Sequence, residues 1–224
     1  QNVSLLNIDC VEGMAALADA SVDLVIADPP YNIGVLNSEW DRVPEYMAWS
    51  KTWLAQAVRV LKPSGSLFLW GSPAKLWIAR LKLMAADDCG LTFMQHISWC
   101  YKQGGDSRLK GMSAYSVRLE QLEWFVKPGA TTMHTFNAHE AVEHYSPEEF
   151  EQALAKGVGR VTEESLRQGR PPRNWWEIPR VNSRCKERQL GSHPSMKPLE
   201  LCERIVKVHS NPGDVVCIPF GGSG

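Results

Sequence analysis

An α/β fold with a mostly parallel sheet is predicted by three features of the chain. Apolar runs of strand length alternate with stretches of helical period. The 224 residues, 44% of them hydrophobic, suffice for one sizeable core. A glycine-rich turn, Phe220-Gly221-Gly222-Ser223-Gly224, directly follows a short apolar strand, Val215 to Ile218.

Val3 to Ile8 is a short apolar run closed by Asp9-Cys10, which predicts a buried strand; Val11 to Leu17 then has helical spacing. Val22 to Ala27 is a β-branched, apolar strand that stops at Asp28-Pro29-Pro30-Tyr31. Two successive prolines remove two backbone donors and cannot continue a central strand, so the tetrad belongs on the loop leaving it. Tyr46 to Leu61 is helical, with Met47, Trp53, Leu54, Ala57, Val58 and Leu61 roughly on one face. Lys62-Pro63-Ser64-Gly65 reads as a turn, Ser66 to Trp70 as a strand and Ala74 to Ala85 as a helix. Thr92 to Tyr101 and Gln121 to Val126 are further strands. Thr131 to Tyr145 has no clear period. Ser146-Pro147-Glu148-Glu149 is a good helix start, and two short helices are expected over Phe150 to Lys156 and Thr162 to Arg167. A helix over Leu199 to Val208 and the turn Asn211-Pro212-Gly213-Asp214 lead to the last strand.

A net charge of −1 excludes a histone-like polycation and a disordered acidic tail. The six cysteines include no C-x-x-C pair, so neither a zinc site nor a redox pair is suggested. They read as reduced residues of a cytoplasmic protein. The chain carries neither a signal-like start nor an apolar run long enough to span a bilayer, so no membrane contact is expected. Gln1 and Gly224 both read as cuts through a longer chain.

Asp28-Pro29-Pro30-Tyr31 is the strongest chemical signal. In open α/β sheets, ligands sit beyond the carboxyl ends of the strands. An exocyclic amino group on a base is a poor nucleophile, because its lone pair is delocalised into the ring. A carboxylate (Asp28) and a backbone carbonyl (Pro29) can each accept one of its N–H bonds and turn that lone pair towards a methyl donor. Tyr31 offers a flat face for an extruded base. The second signal is the glycine turn after Ile218, which lets backbone approach a cofactor closely. The third is His193-Pro194-Ser195-Met196-Lys197-Pro198, where Lys197 precedes a helix, a position unfavourable for a cation.

These motifs, in this order, resemble the permuted (beta-group) S-adenosylmethionine-dependent amino methyltransferases of DNA. The likeness also includes Asn7-Ile8-Asp9-Cys10, Ser21 to Tyr31, Arg59 to Gly65, Trp99 to Lys102, Arg118 to Lys127 and Trp176 to Pro179. The resemblance implies a single Rossmann-like catalytic domain over 1–224, with helices on both faces of the sheet and circularly permuted motifs. It implies methyl transfer from S-adenosylmethionine to N6 of a flipped adenine in a specific duplex site, with S-adenosylhomocysteine as product. No metal and no covalent enzyme intermediate are needed. Asp28, Pro29, Pro30 and Tyr31 would form the catalytic loop. Asp9 would lie near the adenine end of the cofactor and Lys197 would meet its carboxylate, with Cys10, His193 and Ser195 also in the cofactor site. Asp28 would face its methyl group, and Phe220, Gly221, Gly222 and Ser223 would turn under its methionine part. Asp28 favours adenine, because a Ser-Pro-Pro-Tyr form goes mostly with cytosine N4, the alternative target. Ile218 departs from the usual Asp, which raises a second alternative, an inactive DNA-binding subunit. The segment that the family places after Gly224 is missing.

The irregular stretch, taken as 128–190, is expected to be an inserted target-recognition element. Between Lys156 and Gln189 stand nine basic residues (Lys156, Arg160, Arg167, Arg170, Arg173, Arg180, Arg184, Lys186, Arg188) and four acids (Glu163, Glu164, Glu177, Glu187), a local excess of five. That excess suits a phosphate-neutralising face for double-stranded DNA. Trp40, Trp175 and Trp176 are candidate wedges. A second copy of the chain and a cognate restriction endonuclease are further candidate partners.

Overall fold

The computed structural model describes residues 3–34, 37–73, 76–101, 115, 117–129, 133–156, 162–181, 193 and 195–222. Its elements are α1 (Cys10–Ala15), β1 (Val22–Ala27), α2 (Tyr46–Val60), β2 (Leu61–Gly71), α3 (Trp77–Leu83), β3 (Thr92–Cys100), β4 (Leu119–Val126), α4 (Ala138–Ala141), α5 (Pro147–Lys156), α6 (Glu163–Gln168), β5 (Trp175–Glu177), α7 (Leu199–His209) and β6 (Val216–Cys217). The six strands form one sheet in the order β5-β3-β4-β2-β1-β6. β1 runs parallel to β2 and β6, and β3 runs parallel to β5. β4 is antiparallel to both of its neighbours, so the other five strands share one direction. The predicted mostly parallel α/β sheet is therefore present, with β4 as the exception.

Both faces of the sheet are covered, as the near-continuous apolar strands require. Val25, Ala27, Leu67, Leu69 and Phe125 point to one face and pack with Met14, Trp53, Leu54, Ala57, Ile78 and Leu81 of α1, α2 and α3. Their sequence neighbours Leu24, Ile26, Phe68, Trp70 and Trp124 point to the other face and meet Leu201 and Ile205 of α7. This is the two-residue period of a strand. Each of these large side chains is buried to within a few per cent, a gain of roughly 1.5–3 kcal/mol apiece.

Two local expectations are corrected. Val3 to Ile8 forms no strand; Val3, Leu5 and Leu6 are 82%, 77% and 74% exposed. Apolar composition alone does not make a strand without a ladder, and this run has no ladder partner among the described residues. Lys62 to Gly65 is not a free turn but lies within β2, where the register against β1 jumps from Val22↔Leu61 to Leu24↔Ser66. The extra residues bulge outward, leaving Pro63 and Ser64 exposed. Gly65 is required there, since a Cβ would stand 2.9 Å from the Asp23 carbonyl oxygen. Asp23 also accepts from Lys62 Nζ at 2.8 Å and from the Val215 amide at 2.9 Å, tying β6 to β1. The helix expected from Ala74 begins at Trp77 and passes into a π-turn at Met84–Asp88; Ala74 and Lys75 lie outside the described residues.

The 128–190 stretch contains α4, α5 and α6 and then rejoins the sheet through β5. Thr162 caps α6 by accepting from the Ser165 amide. No helix is long and apolar enough to cross a membrane among the described residues.

Candidate active site

The parallel strands set the site at their carboxyl edge. Ala27, the last residue of β1, pairs with Leu69, and Gly71 at the end of β2 pairs with Gln121 of the reversed strand β4. Asp28 and Glu120 therefore leave two nearby strands at the same edge, although 92 positions separate them in sequence. The Tyr31 hydroxyl lies 2.9 Å from both Asp28 Oδ1 and Glu120 Oε2. Lys197 Nζ donates to Asp28 Oδ2 at 2.7 Å and stands 3.4 Å from Glu120 Oε2. Its ammonium also lies 5.3 Å from the Tyr31 ring centre and 5.5 Å from that of Trp70, both favourable for a cation. The side chains of Lys197, Glu120 and Asp28 are 10%, 13% and 23% exposed.

Electrostatics follow from this crowding. Burial, and then the charges of Asp28 and Glu120, hold the Tyr31 phenol well above its ordinary range, so it stays a donor. Burial opposes the charge on Lys197, but the two carboxylates outweigh it, and the ammonium is held above the usual lysine range. Two carboxylates share one ammonium, which leaves the cluster with a net negative charge.

The loop itself is clamped. The Tyr46 hydroxyl donates to the Pro30 carbonyl at 2.7 Å. Asp41, fully buried, accepts from the amides of Asn32 at 2.8 Å and Ile33 at 3.1 Å. Asn32 is in the left-handed region (φ 53°), and its side chain accepts from the Val43 amide at 3.1 Å. Pro29 and Tyr31 are thus fixed between β1 and the start of α2.

The glycine turn approaches from the neighbouring strand β6. Phe220 packs edge-on against Trp53 at 5.2 Å and lies 5.9 Å from Trp49. Gly222 has φ 61°, and a Cβ on it would stand 3.8 Å from His193 Nδ1; nothing lies within 4 Å of a Cβ on Gly221. His193 thus stands over the turn while Lys197, four residues on, binds Asp28. The Ser195 amide donates to His193 Nδ1 at 3.3 Å, which stiffens the link. Asp9 caps α1 by accepting from the Val11 amide at 2.8 Å and is exposed. Cys10 packs in the same cluster as Cys217 of β6. Burial first, then the Asp9 charge, pushes its thiol up to about 11, so it is not a thiolate nucleophile. Ser223, Gly224 and Pro194 lie outside the described residues. An open glycine backbone beside an aromatic ring and a histidine fits a cofactor laid along the turn.

Lys197, expected at the cofactor carboxylate, has its ammonium on Asp28 and beside Glu120, a pairing that the motifs did not suggest. Glu120 was missed altogether; its only signal was an acid at the head of an apolar strand. The expected basic face is reduced. Arg167 pairs with Glu163, Arg170 with Glu143 and Glu149, and Arg173 with Glu143, an acid outside the stretch that was counted. Arg160, Arg184, Lys186 and Arg188 lie outside the described residues. Trp176 is no wedge, since it is 7% exposed and its Nε1 donates to the Arg173 carbonyl at 3.0 Å. Trp40 and Trp175 are 42% and 39% exposed; Trp40 stands 5.4 Å from the His193 ring. The cavities beside α7, lined in part by Glu143, Arg173, Trp176 and Arg204, do not include Asp28.

The chain is 31% identical to the type II methyltransferase M.HpaI of Haemophilus parainfluenzae over 96% of its length, and spans 62% of that protein. It is 29% identical to the DNA adenine methyltransferase YhdJ of Escherichia coli K12, covering 98% of this chain and 71% of that one. Among solved structures, the cytosine-N4-specific PvuII DNA methyltransferase shares the fold with a TM-score of 0.69 at 17% identity, over 97% of this chain and 74% of that one. The M1.HpyAVI–SAM complex shares it with a TM-score of 0.54 at 20% identity, over 96% and 81%. The profile of the N6/N4 DNA methylases matches residues 22–224, and the chain belongs to that family of DNA methylases.

Proposed function

We propose that this chain transfers a methyl group from S-adenosylmethionine to N6 of an adenine flipped out of duplex DNA. The observation that carries the reading is the placement of Asp28. Its carboxylate ends a buried parallel strand, is anchored by Tyr31 and Lys197, and lies beside a stiff proline loop. Asp28 accepts one N–H of the amino group and the Pro29 carbonyl accepts the other, which turns the nitrogen lone pair out of conjugation. Tyr31 packs against the base, and the Tyr46 bond to Pro30 keeps the loop from yielding. The cofactor supplies an electrophilic methyl group on a sulfonium. Phe220, Gly221 and Gly222 would hold its methionine part beneath His193, and Asp9 and Cys10 would face its adenine end. The aspartate of the tetrad supports adenine over cytosine, as does the similarity to YhdJ, a DNA adenine methyltransferase. Duplex DNA is the substrate, and the 128–190 stretch reads its sequence.

Mass spectrometry of nucleosides from treated, unmethylated DNA tests the assignment. N6-methyladenine is expected, and N4-methylcytosine as the sole product overturns it. One observation favours a second reading, an inactive DNA-binding subunit: Ile218 places an apolar side chain, 55% exposed, at the head of the glycine turn. Calorimetry separates the two readings, because an inactive subunit takes up no S-adenosylmethionine.

A further inference from the structure

We infer that Glu120 is a positioning residue of the transfer site, the anion onto which Lys197 moves when the substrate's amino group takes Asp28. The inference rests on the amino-methyltransferase reading and adds a residue to it.

Both oxygens of Asp28 are already engaged. Oδ1 faces the Tyr31 hydroxyl at 2.9 Å, and Oδ2 accepts from the Lys197 ammonium at 2.7 Å. An incoming N–H competes with that ammonium for Oδ2. A buried ammonium stripped of its only carboxylate is strongly unfavourable, and an Asp28–Lys197 pair alone would resist opening. Glu120 Oε2 stands 3.4 Å from the same nitrogen, so a small shift of Lys197 keeps its charge compensated while Asp28 is freed. Tyr31, 2.9 Å from both carboxylates, fixes their spacing. Other groups bear on the site without replacing Glu120. Tyr101, directly after β3, is held as a phenol by burial and by Glu120 itself, while Arg180, Arg118 and Lys197 oppose that shift. Cys202 of α7 is kept as a thiol by burial.

The test compares Glu120→Gln and Glu120→Asp with the parent chain in single-turnover methyl transfer to unmethylated duplex DNA, from about pH 7.5 to about pH 9.5. Calorimetric uptake of S-adenosylmethionine serves as the check on folding. Near neutrality Glu120→Gln is expected to slow transfer about tenfold or more, the scale of one hydrogen bond to a charged group, with cofactor affinity unchanged. The deficit should shrink as pH rises, because Lys197 has lost one carboxylate and gives up its proton at lower pH, releasing Asp28. Glu120→Asp, which keeps the charge, should recover most of the rate. A Gln variant as fast as the parent, a pH-independent deficit, or an Asp variant no better than Gln each overturns the role. Should the Gln variant fail to take up cofactor, the Asp variant decides, and a rate near zero at all pH values counts against the inference. A parent chain that transfers no methyl group defeats the functional reading itself, a separate result from an active parent with an unaffected variant.

Discussion

The Tyr46 hydroxyl donates to the Pro30 carbonyl across 2.7 Å, so the first residue of α2 holds the loop that carries Asp28. Tyr46 is itself buried, and burial followed by the charge of Asp41 raises its phenol far above the ordinary range. It is therefore a donor around neutral pH. Tyr46→Phe removes the hydroxyl's contacts and keeps the ring packed edge-on against Trp77 and tilted against Trp49. A loss of about 1 kcal/mol in stability and a several-fold fall in the transfer rate are expected, read by urea denaturation and single-turnover assay.

Asp41 clamps the other end of the same loop. Asp41→Ala strips the acceptors from the Asn32 and Ile33 amides. Each half-buried donor left unpaired costs up to about 1–3 kcal/mol. Asp41→Ala should therefore cost more stability than Tyr46→Phe, as a larger drop in Tm. An equal or smaller drop contradicts the clamp.

His209 gives the fold an acid limit. It lies among Phe68, Trp124 and Phe136, with ring centres 4.6, 4.6 and 5.4 Å away, and its Nδ1 has no hydrogen-bond partner among the described residues. Burial is the chief cause that lowers it to about 3. A base depressed in the folded state binds its proton first in the unfolded state, so its stabilising effect is complete above about pH 6.5 and falls away towards pH 3. At about pH 5 the loss is about 2 kcal/mol. His209→Phe should flatten this slope, as seen by denaturation at about pH 5 and about pH 8. A variant with the parent's slope shows that other groups set it.

Gly65→Ala probes the bulge that lets β2 follow β1. Its Cβ would stand 2.6 Å from Leu61 Cδ1 and 2.9 Å from the Asp23 carbonyl oxygen. Such overpacking costs about 1–3 kcal/mol, and a thermal melt unchanged from the parent contradicts the register jump.

Much of this framework was legible in the sequence because it is local. α2 buries Trp53, Leu54 and Ala57 as its period predicts, while Met47 and Val58 are only partly buried and Leu61 already belongs to β2; β1 ends just before Pro29 and Pro30, which lack the ladder donors. What was hidden is non-local. Val3 to Ile8 has strand composition, but whether it forms a ladder depends on a neighbouring strand that the run itself does not specify. Lys62 to Gly65 has turn composition, yet pairing with β1 on either side draws it into a bulge. Glu120 became a site residue only because β4 runs against its neighbours and brings its first residues to the carboxyl edge of β1. Residues 122–126 of that strand are all buried, which makes it read as core alone. The basic excess between Lys156 and Gln189 could not reveal that Glu143, outside that window, receives three arginines.

The role of Asp28 is tested most directly by tritium transfer from labelled S-adenosylmethionine to unmethylated duplex DNA, comparing the parent chain with Asp28→Ala. Lys197 keeps Glu120 as a partner in the variant, so the fold and cofactor uptake should survive. The parent should label adenine, and the variant should fall by at least about 100-fold, the scale of losing an interaction made only in the transition state. An Asp28→Ala chain that still labels DNA at a comparable rate contradicts the account.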